Sequence, residues 1–185
     1  MSLPYPPDRL IQPVSAQDHC QGDPTATITV VQYGDYQCSG CRIADEVIRT
    51  IQQQLGPQMR FVFRHFPQSQ FHPDAYHAAE AAEAAGSQGK FWEMHHHLFA
   101  HQSQLADCHL VEYAIALLLD VNQFLAEMAN DCHLARIDAD LASGRRSGVI
   151  HTPTFFINGW KYRNDQSLDG LLEAMIQAQP ESELG

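Results

Sequence analysis

Apolar side chains run almost unbroken through Ile28-Thr29-Val30-Val31-Gln32-Tyr33, after the punctuation of Gly22-Asp23-Pro24. A run of this kind suits a central strand covered on both faces. The period then changes. Ile43, Val47, Ile48, Ile51 and Leu55 recur at helical spacing, and Gly56-Pro57 stops that helix, with glycine past the end and proline beyond it. Arg60-Phe61-Val62-Phe63-Arg64-His65-Phe66 is β-branched and aromatic and ends at Pro67, which predicts a second strand. Strand, helix, strand at this spacing is a βαβ unit with parallel strands and a right-handed crossover.

From Asp74 to Ser147 the pattern is helical throughout. An alanine-rich helix runs from Ala75 to Ala85, between Pro73 and Gly86. A second carries Phe91, Met94 and Leu98. A third starts at Asp107 or Cys108 and puts Leu110, Tyr113, Ala114, Leu117 and Leu118 on one side. Asn122 is read as the cap of a fourth, with Phe124, Leu125 and Met128, and a fifth spans about His133 to Ser147. The strand signal returns in Thr154-Phe155-Phe156-Ile157. Asn158-Gly159 then separates it from Trp160-Lys161-Tyr162, a hairpin signal because both turn positions need positive φ. Leu168, Leu171, Leu172, Met175 and Ile176 form a closing amphipathic helix.

The expected class is therefore α/β, a sheet interrupted by an all-helical domain. Residues 1–20, rich in proline and polar groups, are read as an N-terminal arm over the surface. Residues 21–66 and 148–185 form the sheet domain, and 67–147 the helical insertion. The formal net charge of -11, with no basic stripe, excludes nucleic acid as an expected partner. No stretch has the apolar length of a membrane span. The first residues carry neither a basic nor an apolar leader region, so a cytoplasmic setting is expected, or a periplasmic one if a leader has been removed.

Five cysteines bring in the chemistry: Cys20, Cys38, Cys41, Cys108 and Cys132. Cys38-Ser39-Gly40-Cys41 lies where the first strand gives way to the first helix, at the carboxyl end of the strand, where open α/β sheets place their sites. The first thiol faces the free N–H groups of the helix end, which favour a thiolate. Cys38 is thus the expected nucleophile, and Cys41, one turn inside, the expected resolving thiol. Ser39 and Gly40 add no cation, so the helix terminus is expected to supply most of the effect. C-x-x-C is also half of a zinc site, but no second ligand pair accompanies it at suitable spacing. His97 and His101 make an i, i+4 pair in a histidine-rich stretch, for which a solvated helix face is the preferred reading. Cys108 and Cys132 are read as buried, inert thiols, and Cys20 as an unpaired surface thiol in the arm. Phe155, Phe156 and Trp160 are assigned to packing.

In combination these motifs resemble the DsbA-like thiol-disulfide oxidoreductases of the thioredoxin superfamily. The resemblance rests on Tyr33-Gly34-Asp35-Tyr36-Gln37-Cys38-Ser39-Gly40-Cys41, Phe63-Arg64-His65-Phe66-Pro67 and Gly148 to Gly159. Ala78-Ala79-Glu80-Ala81-Ala82 and Gly89-Lys90-Phe91-Trp92 add to it in the helical block. It covers about Asp18 to Ala178 and implies a thioredoxin-like fold. It also implies a cis Thr152-Pro153 bond whose loop packs against the cysteine pair, and a Thr152 backbone that pairs with an extended substrate segment. Thr152, Pro153, Ser39, Gly40 and Tyr36 are the residues expected to border that segment, with Asp35 shaping the groove. Two features depart from the family. Ser-Gly stands between the cysteines where strongly oxidising relatives often carry Pro-His or Pro-Tyr. Gln32, which cannot ionise, stands six residues before the nucleophile, where many relatives carry a buried acid.

The function expected is disulfide exchange with protein thiols, in partnership with a redox protein and with no metal, flavin or nucleotide. Two alternatives remain open at this level: a glutathione-dependent isomerase or transferase of similar architecture, and a non-catalytic binding module in which the pair is structural.

Overall fold

A computed structural model describes residues 8–178. Residues 1–7 of the expected arm and 179–185 of the closing segment lie outside them. Among the described residues the sheet has five strands: β1 (His19–Gln21), β2 (Ile28–Gly34), β3 (Met59–His65), β4 (Thr154–Ile157) and β5 (Trp160–Lys161). Their spatial order is β1-β3-β2-β4-β5. β2 and β3 are parallel, with Val30 opposite Phe61, and the other pairings are antiparallel. Helix α1 (Ser39–Leu55) makes the βαβ crossover between β2 and β3. Five helices, α2 (Ala75–Gly86), α3 (Phe91–Ala100), α4 (Asp107–Ala116), α5 (Val121–Ala129) and α6 (Leu134–Arg146), fill the gap before β4, and α7 (Leu168–Gln177) closes the chain. The architecture is the expected α/β sheet of thioredoxin-like type, with helices inserted between β3 and β4.

Alternation along the strands feeds two cores. Ile28, Val30, Phe61, Phe63, Phe155 and Ile157 face α1, α7 and the inserted helices. Val31, Tyr33, Val62 and Phe156 face the other way and pack with Phe66, Leu141 of α6 and Val149. Both faces are covered, which is why β2 shows no regular alternation of polar and apolar residues. The hairpin turn has φ 47° at Asn158 and 82° at Gly159, the positive pair that Asn-Gly accommodates.

Several expectations are corrected. The buried stripe of α1 is Cys41, Ala44, Ile48, Ile51 and Leu55, while Ile43, two residues and 200° of helix from Cys41, is 54% exposed. Leu118 is 86% exposed because α4 ends at Ala116 and the chain turns with φ 57° at Leu118, leaving Leu119 to fill the core. Asp120, not Asn122, caps α5, accepting from Gln123 N–H at 3.1 Å. Cys108, in the first turn of α4, and Cys132, just after the positive-φ Asp131, are exposed rather than buried. Cys20 is not in a loose arm but in β1, opposite Val62 and half-buried.

The segment before β1 is pinned to the sheet. Leu10 N–H donates to Gly159 O at 2.9 Å, and the Arg9 guanidinium lies 3.9 Å from the Trp160 ring centroid. Arg64 of β3 reaches up through the fold, donating to both carboxylate oxygens of Asp18 at 2.7 and 3.1 Å. It also donates to the Gln12 and Pro13 carbonyls and to Tyr33 Oη. A guanidinium 1% exposed is tolerable only with its donors satisfied in this way.

Candidate active site

β2 ends at Gly34, and Asp35-Tyr36-Gln37 carries the chain to Cys38, the N-cap of α1, in extended conformation (φ -78°, ψ 118°). Cys38 O accepts from Cys41 N–H at 3.0 Å and Arg42 N–H at 3.3 Å, so the first turn of the helix wraps around the nucleophile candidate. Its thiol is half-buried, whereas Cys41 is 0% exposed. All five cysteines are free thiols in this structure.

The two thiols have opposite acidities. Cys38 is lowered from the ordinary 9 to about 5, chiefly because the Cys41 thiol donates to its sulfur. Burial opposes the shift, and the Thr152 side chain and the backbone N–H groups of Cys41 and Gly40 add to it. The helix end therefore contributes, but Cys41 contributes more than the spacing alone suggests. Burial pushes Cys41 well above the ordinary thiol range, and the hydrogen bond to Cys38 pushes it the same way.

Thr152-Pro153 is cis and immediately precedes β4. The Cys38 thiol reaches the Thr152 carbonyl at 3.4 Å. A Cβ on Gly40 would stand 3.1 Å from Pro153 Cδ, so the residue after Ser39 fits closely because it has no side chain. Ser39 is exposed, Gly40 and Thr152 are half-buried, and Pro153 is buried beneath them. These five residues come together as one surface. Tyr36 does not join it. Its ring is 1% exposed between Phe63 and Phe99, and its hydroxyl lies 2.9 Å from His95 Nδ1, so it supports the site from behind.

Asp35 organises the approach to the pair rather than facing it. Its buried carboxylate accepts from Gln37 N–H, Gln68 N–H and His72 Nδ1, each at 2.8 Å, while its backbone N–H points at Cys41 Sγ at 3.4 Å. Gln68 then accepts from the Thr152 hydroxyl at 3.0 Å, joining Asp35 to the cis-proline loop. Gln37 and Asp74 are doubly hydrogen-bonded at 2.9 and 3.0 Å. The amide of Gln102, just after α3, donates to the Tyr36 and Cys38 carbonyls at 2.7 and 2.8 Å. Gln68, His72, Asp74 and Gln102 escape sequence reasoning because each meets the loop from 30 or more residues away with no local period to mark it.

Beside Gln68 a cleft of about 330 Å³ opens between Phe66, Phe71, Leu141, Val149 and Ile150, with Phe71 75% and Ile150 73% exposed. His97 and His101, the i, i+4 pair, are stacked with ring centroids 4.3 Å apart, close to Tyr113.

The family model described as Thioredoxin matches residues 15–177. Among solved structures, BdbD from Bacillus subtilis superposes with a TM-score of 0.81 at 19% identity, covering 95% of this chain and 97% of that one. A thioredoxin-like oxidoreductase from Silicibacter pomeroyi gives 0.79 at 26% identity over 89% and 93%. Wolbachia pipientis alpha-DsbA1 gives 0.77 at 21% over 92% and 94%. Among curated sequences, proteins named Na(+)/H(+) antiporter NhaA match, for example NhaA 1 of Salinispora arenicola at 39% identity over 96% of this chain. The chain spans only about a quarter of that relative's length, 26%. No helix among the described residues is long and apolar enough to cross a membrane. On the match over residues 15–177 and these superpositions, the chain belongs to the thioredoxin family and has the fold of its DsbA-like thiol-disulfide oxidoreductases.

Proposed function

We propose that this chain exchanges disulfides with protein thiols, Cys38 acting as nucleophile and Cys41 as resolving thiol. The observation that carries the reading is the asymmetry of the pair: a half-exposed sulfur with its pKa near 5 beside a fully buried one held protonated. The Cys38 thiolate attacks one sulfur of a substrate disulfide, forming a mixed disulfide and releasing the other sulfur as a thiolate. Cys41 then gives up its proton and attacks Cys38 Sγ, releasing the second substrate thiolate. The substrate gains two electrons and the chain is left with a Cys38–Cys41 disulfide. Run in reverse, with the pair reoxidised by a redox partner, the same steps oxidise a dithiol.

Thr152 and Pro153, with Ser39 and Gly40 opposite, border the seat of the substrate segment, and the cleft beside Gln68, lined by Gln70 and Arg145 as well as Phe71 and Ile150, receives its side chains. A buried, protonated Cys41 next to an acidic Cys38 favours this reading over a purely structural pair, for which no acidity difference is needed. The test is insulin reduction by the wild type, Cys38→Ser and Cys41→Ser. Loss of turnover in both variants is expected, with Cys41→Ser accumulating a reductant-sensitive adduct. Turnover surviving in Cys38→Ser overturns the reading, and turnover with glutathione alone promotes the glutathione-linked one. The direction of flow and the compartment follow from the potential of the pair. A value near about -270 mV fits a reductant in a reducing cytoplasm, and one near about -120 mV an exported oxidant.

A further inference from the structure

Asp45 lies on α1 one turn beyond Cys41, 6% exposed, and faces two consecutive histidines of α3. Its Oδ1 is 3.3 Å from His95 Nε2 and 3.3 Å from His96 Nδ1. Those separations are long for hydrogen bonds in this molecule. His19, His65, His72, His77 and His133 approach their carboxylates to 2.9, 2.8, 2.8, 2.6 and 2.7 Å. The remaining 3.3 Å pair, His109 with Glu112, is at the surface. Two donors bound at about 2.0–2.1 Å to one tetrahedral zinc ion stand about 3.3–3.4 Å apart, which is the spacing seen here. His96 Nδ1 is buried with no hydrogen-bond partner.

We propose that Asp45, His95 and His96 form a binding site for zinc or a zinc-like divalent cation that ties α1 to α3. All three donor atoms lie within 4.8 Å of one another. The far nitrogen of His95, Nδ1, is 2.9 Å from Tyr36 Oη, the kind of outer partner that orients a metal-bound imidazole; in the bound tautomer Nδ1 donates to the tyrosine oxygen. A cleft of about 190 Å³ opens on Asp45 and His96, leaving room for a water as fourth ligand. Arg42, Glu46 and Arg49 line that cleft as well, and Arg42 is paired with Glu46 at 2.9 Å. Arg49 leaves the rim with one net positive charge beside the proposed ligands, so affinity must come from the N₂O donor set, which suits zinc better than a hard cation. The other imidazole–carboxylate group, His19, His65 and Glu83, is closed by short hydrogen bonds and by the Arg136 guanidinium 3.9 Å from Glu83. The site is independent of the thiol chemistry and would hold the helix of the cysteine pair against the inserted block.

Thiolates also bind zinc, so the test uses the full chain with Cys38–Cys41 oxidised and Cys20, Cys108 and Cys132 replaced by serine. Zinc titration by calorimetry should give one equivalent with Kd tighter than about 10 μM. Cobalt(II) should give the intense visible bands of a four-coordinate site, and zinc should raise the thermal midpoint. Asp45→Asn and the half-exposed His96→Ala, each checked for folding by circular dichroism, should weaken binding at least about tenfold and abolish the midpoint shift. The His97→Ala/His101→Ala double variant should bind as the parent does. Absence of saturable binding, a weaker Kd, full affinity in either Asp45→Asn or His96→Ala, or loss of binding in the double variant overturns the proposal.

Discussion

The amide nitrogen of Gln102 donates to the carbonyl of Cys38 at 2.8 Å, so the turn after α3 in the inserted block holds the backbone of the nucleophile candidate. The same nitrogen takes the Tyr36 carbonyl at 2.7 Å. Gln102→Ala leaves two carbonyls of the active-site loop without this donor, at a cost of about 1–3 kcal/mol if they stay dry. Insulin reduction should fall several-fold, and the pH profile of Cys38 alkylation should move upward as the loop loosens, with only a modest drop in thermal midpoint. An unchanged alkylation profile would mean that Gln102 serves stability alone.

The acidity of Cys38 gives a pH dependence with a definite sign. Its folded pKa, about 5, lies below the ordinary 9, so the reduced form gains stability as pH rises from about 5 towards 9 and loses it as pH falls through 5. Cys41 acts in the opposite sense only above the ordinary thiol range, because burial keeps it protonated there. Iodoacetamide should therefore alkylate Cys38 with a rate that rises through a midpoint near pH 5. Between pH 5 and 7 the urea midpoint of the reduced wild type should increase relative to that of Cys38→Ser. Parallel curves for the two proteins would show that the thiolate is not selectively stabilised in the folded state.

Asp18 tests the pinning of the N-terminal segment. Its carboxylate, 3% exposed, grips Arg64 through both oxygens. Removing one partner of a buried pair strands the other, typically at about 3–5 kcal/mol. Asp18→Ala should lower the thermal midpoint sharply, and Asp18→Ala with Arg64→Leu should recover part of the loss by removing the stranded charge. If the single variant melts like the wild type, the pair does not hold the segment.

What could be read in advance follows the range of each signal. β2, β3, the hairpin and the helical block were legible because period and turn chemistry act over a few residues, and Cys38-Ser39-Gly40-Cys41 stands out at a strand-to-helix junction. Ile43 misled because apolar spacing marks a stripe without saying which of its edges is buried, and Leu118 because α4 ends two residues before it and the chain turns away at φ 57°. β1 has no sequence signal because three residues paired with a distant strand carry no period, and His19 and Cys20 look like arm until Val62 and Phe63 lie beside them. The supports of the site were illegible for the same reason: Gln68, Asp74 and Gln102 reach the loop only once the chain has folded over it.

Gln32 bears on how fast the proposed mixed disulfide would be released. It lies in β2, 1% exposed, opposite Phe63 and Phe155, and its Nε2 has no hydrogen-bond partner. It shares a strand face with Val30, whose core includes Cys41. The Asp35 carboxylate is committed to three donors and its backbone N–H, not its side chain, meets Cys41, so it is poorly placed to take the proton of the resolving thiol. Gln32→Glu changes no volume and introduces a carboxyl whose pKa burial raises towards neutrality, suited to accepting that proton and returning it. In stopped-flow exchange the variant should release the mixed disulfide several-fold faster than the wild type at pH 7. The wild-type rate should climb with pH, because solvent must then deprotonate Cys41, and the gap should narrow in alkali. Equal rates at pH 7 would mean that proton removal from Cys41 does not limit release and that an acid at this position is dispensable.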